Sequence, residues 1–91
     1  MSDIKITRER IDHLMRTAKY SVYTEFSKCT IVSAQLENGF ILTESSACVD
    51  ASNYDVEMGI TYCKDKIRER LWELEGYALQ DGVYRAARDR R

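Results

Sequence analysis

The sequence predicts an α+β fold: a small antiparallel sheet, made of a β-hairpin and a third short strand, packed against one long C-terminal helix and a shorter N-terminal helix. Residues 38 and 39 are Asn-Gly, between the β-prone runs 29–36 and 41–46. Asn-Gly is the strongest short signal for a hairpin, because both central residues of a type I′ turn need positive φ. Later apolar residues recur at steps of three and four, a spacing that only a helix places on one stripe. They are Val56, Ile60, Cys63, Ile67, Leu71, Leu74 and Ala78.

The first helix is predicted over residues 8–19. Thr7 is a suitable N-cap, and Ile11 and Leu14 begin an apolar stripe at helical spacing. Over residues 20–26 the spacing of apolar residues changes to two, which indicates a short strand. We therefore expect the order α-β-β-β-α.

The hairpin register follows from the loop length. A two-residue loop of Asn38 and Gly39 sets Leu36 against Ile41 and brings Cys29 opposite Cys48. Directly opposed cysteines often have poor disulfide geometry, so reduced thiols are the default and the pairing stays open.

The second helix is predicted over residues 53–80. Ser52 or Asn53 is the expected N-cap, with Asp55 in the first turn, and residues 81 and 82, Asp-Gly, form the natural stop. Gly59 lies one turn inside this helix, where glycine is unfavourable, so another backbone is expected to approach it closely.

Size and composition predict one globular domain over residues 1–91. The chain is 44% hydrophobic and 32% charged, a balance typical of folded proteins. It has no apolar run long enough to span a bilayer and no basic-then-apolar start. Three cysteines at wide spacings do not form a secreted disulfide framework. These features together favour the cytoplasm and no membrane partner.

No spacing in the chain indicates catalysis, a metal or a cofactor. His13 is the only histidine, and no Cys-x-x-Cys pair accompanies it, so a zinc site is a weak alternative to buried thiols and a solvated imidazole. No Gly-rich phosphate loop is present. We expect no cofactor and no enzyme activity.

Aromatic and polar residues nominate a binding surface. Tyr20, Tyr23, Phe26 and Phe40, with Lys19 and Lys28, form either a stacking platform for a ligand or ordinary packing. The loop before the second helix and two aromatics near that helix's end are further candidates. The nominated ligand or partner residues are Tyr20, Tyr23, Lys28, Ser45, Ser46, Asp50, Asn53, Tyr54, Trp72 and Tyr77.

A basic C-terminal tail over residues 83–91 offers a nucleic-acid contact. The net charge of -1 and the pI of about 5.8 argue against general nucleic-acid binding, because neutralising phosphates needs a clustered excess of cations. A solvated, fraying end explains the tail equally well. The arginines concerned are Arg85, Arg88, Arg90 and Arg91.

Several blocks in order along the chain resemble the small tailed-phage family named after gene product forty-nine of phage N-four and gene product sixty-six of phage Sf-six. The resemblance covers about residues 6–80, and Ala51 stands where proline is expected. Its blocks are Asn38-Gly39-Phe40, residues 44–50, Asn53-Tyr54-Asp55, Gly59 and residues 71–77.

The resemblance implies a phage or prophage origin and a small cytoplasmic product with no established molecular role. It implies no catalytic residues. From it we expect a non-enzymatic accessory protein that binds a host protein or sequesters a small signalling ligand during infection. The alternative is a nucleic-acid-binding accessory protein that uses the basic tail. A helix this long on a sheet this small also favours a homo-oligomer, with a dimer preferred.

Overall fold

A computed structural model describes residues 4–90. It confirms the α+β fold, with the predicted order of elements and a short 3₁₀ helix before the last one. The elements are α1 (Arg8–Thr17), β1 (Lys19–Glu25), β2 (Cys29–Gln35), β3 (Ile41–Ala47), the 3₁₀ helix (Ala51–Asn53) and α2 (Val56–Asp89).

The three strands form one antiparallel sheet in the order β1-β2-β3. Helix α2 packs across β2 and β3, and α1 lies beside α2. Alternation along β2 sends Thr30, Val32 and Ala34 to the helix side, where all three are fully buried. The hydrophobic core lies in this single layer between sheet and helices. It consists of Ile11, Leu14, Val32, Ala34, Leu36, Leu42, Cys63, Ile67 and Leu71.

The predicted hairpin is present, but its register is one residue from the predicted one. Ile41 pairs with Gln35 instead of Leu36. The loop holds three residues, because the Gly39 amide donates to the Leu36 carbonyl at 2.8 Å and only Gly39 adopts a positive φ, of 95°. A one-residue slip exchanges the faces of the second strand. Leu42 therefore faces the core.

The slip also separates the two cysteines. Cys29 lies opposite Ala47, not Cys48, and all three cysteines are free thiols. Cys63 is fully buried, with its Sγ 3.7 Å from the Thr30 carbonyl oxygen. Burial raises the pKa of the Cys63 thiol, so it stays neutral in the core.

Both predicted ends of α2 are wrong. Asp55 is the N-cap, because its Oδ1 accepts from the amides of Glu57 at 3.0 Å and Met58 at 3.3 Å. Ser52 and Asn53 belong to the preceding 3₁₀ helix. The helix also runs through Gly82 to Asp89. One glycine costs about 1 kcal/mol in a helix, and good helix formers, alanine and arginine, follow it.

Helix α2 approaches the sheet closely at Gly59, as predicted, although the neighbouring group is the Thr30 side chain and not the expected backbone. A Cβ at residue 59 would stand 2.2 Å from Thr30 Oγ1 and 2.8 Å from Thr30 Cβ. No side chain fits in that space. Glycine at this position therefore lets the helix lie directly on β2.

Ion pairs between elements hold the first part of α2 in place. Arg68 Nη1 lies 2.7 Å from Asp12 Oδ1 on α1, and Arg10 Nε lies 2.8 Å from Glu75 Oε1. The Cα radius of gyration is nonetheless 17.0 Å, against about 12 Å for a compact domain of this length. The rest of α2 extends away from the core.

We expect Gly59→Ala to lower the free energy of unfolding by about 1 to 3 kcal/mol, because the added methyl forces α2 away from Thr30. The matched control is Gly82→Ala, where an added Cβ meets nothing within 4 Å. That change should raise the free energy of unfolding by up to about 1 kcal/mol through helix propensity. Urea titration measures both, and equal effects would show that no close approach exists.

Candidate functional site

Two connections meet at one end of the sheet, the β1–β2 turn and the loop between β3 and α2. The Cys48 amide donates to the Lys28 carbonyl at 3.1 Å. Lys28 Nζ in turn donates to the Val49 carbonyl at 3.1 Å. The turn and the loop therefore form one continuous surface, which also includes the first turns of α2.

The β1–β2 turn has an unfavourable backbone conformation. Phe26 and Ser27 have φ of 55° and 62°, and the Lys28 amide closes the turn on the Glu25 carbonyl at 3.3 Å. Glycine or asparagine normally takes such positions, because a Cβ makes positive φ cost roughly 1 to 2 kcal/mol per residue. The Phe26 side chain is 84% exposed. Phe26 therefore combines an unfavourable backbone conformation, of a kind that is enriched at functional sites, with a solvent-facing aromatic ring.

The side-chain carboxylates of the loop accept hydrogen bonds from backbone amides. Asp50 Oδ1 accepts from the Ser52 amide at 3.0 Å, and hydrogen bonds from Ser52 lower the pKa of this carboxyl. Cys48 Sγ donates to the Asp50 carbonyl at 3.1 Å, and Asp55 caps α2. These side chains fix the loop's shape.

Tyr54 ties the loop to the sheet. Its hydroxyl lies 2.6 Å from Thr30 Oγ1 and 2.8 Å from Thr24 Oγ1. Thr30 is fully buried, so Tyr54 supplies the partner that a buried hydroxyl requires. The tyrosine is a structural latch between loop and strands.

A small cleft of about 110 Å³ opens between the end of β3 and the start of α2. Pockets that bind drug-sized molecules usually measure about 300 to 1,000 Å³. The cleft is lined by Ser46, Ala47, Cys48, Asn53, Tyr54, Asp55, Met58, Gly59 and Tyr62. It holds a side chain more readily than a nucleotide.

Large apolar side chains are exposed on and around this cleft. Val49 is 96% exposed, and Met58 and Tyr62 are half exposed along one face of α2. We call Phe26, Val49, Val56, Met58 and Tyr62 the loop-end surface. The residues next to or near its members in the sequence include four carboxylates and one ammonium, a net negative charge: Glu25, Asp50, Asp55, Glu57 and Lys28.

Of the nominated loop residues, the structure brings Ser46, Asn53 and Tyr54 together in the cleft, with Asp50 in the same loop. Ser45 alternates to the other side of β3 and uses its carbonyl to accept from Lys66 Nζ at 2.8 Å.

The nominated sheet aromatics do not form one platform. Tyr20 faces the helix side, where Lys64 Nζ lies 4.4 Å from its ring centroid. Tyr23 alternates to the opposite face. Phe26 and Phe40 lie in connections at opposite ends of the sheet. The alternation of side chains along β1 predicts that Tyr20 and Tyr23 lie on opposite faces of the sheet. It does not predict which of the two faces the helix covers.

Trp72, Tyr77 and the described arginines lie on the distal part of α2. Arg85 Nε is 2.9 Å from Asp81 Oδ2, and the Arg88 guanidinium lies 5.7 Å from the Tyr84 ring centroid. Arg90 is the C-cap, and Arg91 lies outside the described residues. Arg85 and Arg88 therefore lie within α2, and Arg90 lies at its end.

Sequence reasoning did not nominate Val49, Met58 or Tyr62, and considered Phe26 only as part of the platform. Isolated apolar residues show no helical or strand periodicity that would assign them to a surface. The dipeptide Phe-Ser is also not one that is typical of turns. Polarity at the loop was the only signal for this end of the molecule.

Across residues 4–90, no three His, Cys, Asp or Glu side chains are grouped to hold a metal ion. His13 Nε2 lies 3.3 Å from Glu37 Oε1 on the surface. Within the same residues, no helix is long and apolar enough to cross a membrane.

Comparison with known proteins relates the chain to a described family. The model of the family described as Phage protein (N4 Gp49/phage Sf6 gene 66) matches residues 6–83. This confirms the resemblance and extends it three residues beyond residue 80. Neither the curated proteins nor the solved structures include a significant match.

We expect Tyr54→Phe to lower the free energy of unfolding by about 1 to 3 kcal/mol, because it leaves the buried Thr30 hydroxyl without that partner. Tyr62→Phe is the control, since its ring is half exposed and its hydroxyl is expected to contribute little. Thermal and urea unfolding compare the two variants. Equal stability would contradict the latch.

Proposed function

The chain belongs to the Phage protein (N4 Gp49/phage Sf6 gene 66) family, and from that premise we propose that it is a non-enzymatic accessory protein that binds a host protein through the loop-end surface. Two features are proposed: the partner is a host protein, and it binds the loop-end surface. Family membership supports the phage origin, and the geometry of the turn and loop supports protein binding.

The observation that carries the proposal is the conformation of Phe26. This residue combines positive φ with a side chain that is 84% exposed. Replacement by glycine would relieve the strain, and the exposed ring contributes little to the core. A buried aromatic anchor commonly dominates the energy of a protein interface. A role in binding explains why phenylalanine occupies a position where the backbone conformation and the exposed side chain do not favour it.

A protein partner fits the site better than a small signalling ligand. The cleft measures about 110 Å³, below the usual volume of a small-molecule pocket. Two of its polar groups are engaged within the chain: the Tyr54 hydroxyl by two threonines and the Asp55 carboxylate by backbone amides. Exposed apolar side chains around a shallow depression are typical of a protein interface.

The charges around the surface describe the partner further. The acidic neighbours Glu57 and Asp50 favour a partner whose apolar contact region is bordered by lysine or arginine. Complementary charge at the rim speeds association and excludes acidic partners. We therefore expect binding to weaken as salt is raised, but not to disappear.

Nucleic-acid binding receives less support. Arg85 and Arg88 have acidic or aromatic partners on their own helix. Arg85 and Arg88 lie about 60° from each other around α2, whereas Arg90 lies about 140° to 160° from both, because each residue advances about 100°. They do not form one basic face.

We expect Phe26→Gly to separate stability from binding. Glycine tolerates positive φ, so the free energy of unfolding should rise by about 1 kcal/mol. Loss of the ring should weaken partner binding by at least about tenfold. The purified chain serves as bait in lysate of the bacterial host, captured proteins are identified by mass spectrometry, and the affinity of the identified partner is then measured for both chains.

Phe40→Ser is the matched control, since Phe40 is 48% exposed at the other end of the sheet. It should bind as the unchanged chain does. Equal binding by Phe26→Gly and the unchanged chain would overturn the proposed surface. Native mass spectrometry that finds only a co-purified small molecule, or capture of nucleic acid with a steep salt dependence, would overturn the protein partner.

A further inference from the structure

Helix α2 carries two different apolar stripes. The first, with Cys63, Ile67 and Leu71, is buried against the sheet. The second has its first apolar residue at Trp72, one residue and therefore about 100° around the helix from Leu71, and a charged residue at each end. We call it the C-terminal stripe; its steps of three and four are those of a coiled-coil seam. It consists of Glu69, Trp72, Gly76, Leu79, Val83, Ala86 and Arg90.

Beyond Glu75, the C-terminal stripe lies on a part of α2 that has no core residue and no ion pair to another described element. The core and the side chains packed on it end at Leu74, and the last ion pair to another element is Arg10 with Glu75. Residues 76–90 continue for about 22 Å. An isolated helix of this length is marginal in water. Trp72 is 40% exposed at the base of the stripe.

The C-terminal stripe is complementary to a second copy of itself that runs in the opposite direction. Laid antiparallel on a second copy and centred on Leu79, it places Trp72 opposite Ala86 and Gly76 opposite Val83. On either side of the central Leu79 pair, a large side chain meets a small one, as interdigitated packing requires. At the two ends, Glu69 meets Arg90 of the other copy, which pairs opposite charges.

A parallel arrangement loses both kinds of match. It would set Trp72 on Trp72, leave Gly76 facing Gly76, and place Arg90 beside Arg90. Gly76 itself supports close contact with another chain: a Cβ there would meet nothing within 4 Å, so nothing described in the single chain requires glycine, which disfavours a helix interior.

We propose that the C-terminal stripe is a homodimer interface in which two copies of α2 pair antiparallel about a two-fold axis at Leu79. The partner is a second copy of this chain. This inference does not rest on the proposed host partner. In such a dimer the two loop-end surfaces lie at opposite ends, roughly 70 Å apart along the paired helices. Both remain accessible to the proposed host partner.

The first test is sedimentation equilibrium of the whole chain and two charge variants. The unchanged chain should sediment at twice its mass of 10.6 kDa. Leu79→Glu should raise the dimer dissociation constant at least about tenfold. Tyr77→Glu is the matched control, because Tyr77 lies two residues away on another face and is already 71% exposed. It should leave the dimer intact.

A monomeric unchanged chain, or a Leu79→Glu dimer as tight as the original, would overturn the interface. Circular dichroism of both variants keeps the test valid, since a folded Leu79→Glu monomer is the expected product. An unfolded Leu79→Glu chain is replaced by Leu79→Ala, for which weaker dimerisation is again expected and unchanged dimerisation contradicts the interface.

Cysteine cross-linking tests the direction of the helices. Under mild oxidation, Leu79→Cys should form a disulfide between copies and Val83→Cys should not, whereas a mixture of Gly76→Cys and Val83→Cys should cross-link. The unchanged chain, with its own cysteines, gives the background. Cross-linking of Val83→Cys with itself as efficiently as Leu79→Cys would indicate parallel helices and overturn the antiparallel arrangement.

Discussion

Helix α2 lies on β2 at the point where Gly59 meets Thr30, and the other parts of the molecule take their positions from that contact. The absent side chain brings the helix down onto the strand, so that Cys63, Ile67 and Leu71 enter the core in turn. The buried hydroxyl of the same threonine bonds to Tyr54. One close approach thus seats both the long helix and the loop that precedes it.

The two ends of α2 consequently have different environments. At its start, the capped first turn, the loop and the strained Phe26 turn form a fixed apolar surface. Beyond Glu75 the helix leaves the sheet, and the C-terminal stripe from Gly76 onward has no described partner. The core is a single layer in a chain of 91 residues. Such a small domain gains stability from association.

The fold was predictable where one signal had one structural meaning, as with the capped α1, the reversal at Gly39 and the close approach at Gly59. The register was not, because Asn-Gly suits both a two-residue loop and the observed three-residue loop. The helix end was missed because Gly82 is a C-cap signal only when the flanking residues stop forming helix. At the site, Val49 and Met58 belong to no periodic pattern of apolar residues. Hydrophobicity alone would assign such residues to the core, not to an exposed surface.

Amide hydrogen exchange along α2, measured at several protein concentrations, tests most directly whether one helix has both a seated and a projecting part. Amides of residues 59–75 should exchange slowly at every concentration, since their protection follows the stability of the core. Amides of residues 76–90 should exchange faster in dilute solution and become protected as concentration rises. Strong protection of that second segment regardless of concentration, or no protection at any, would contradict the account.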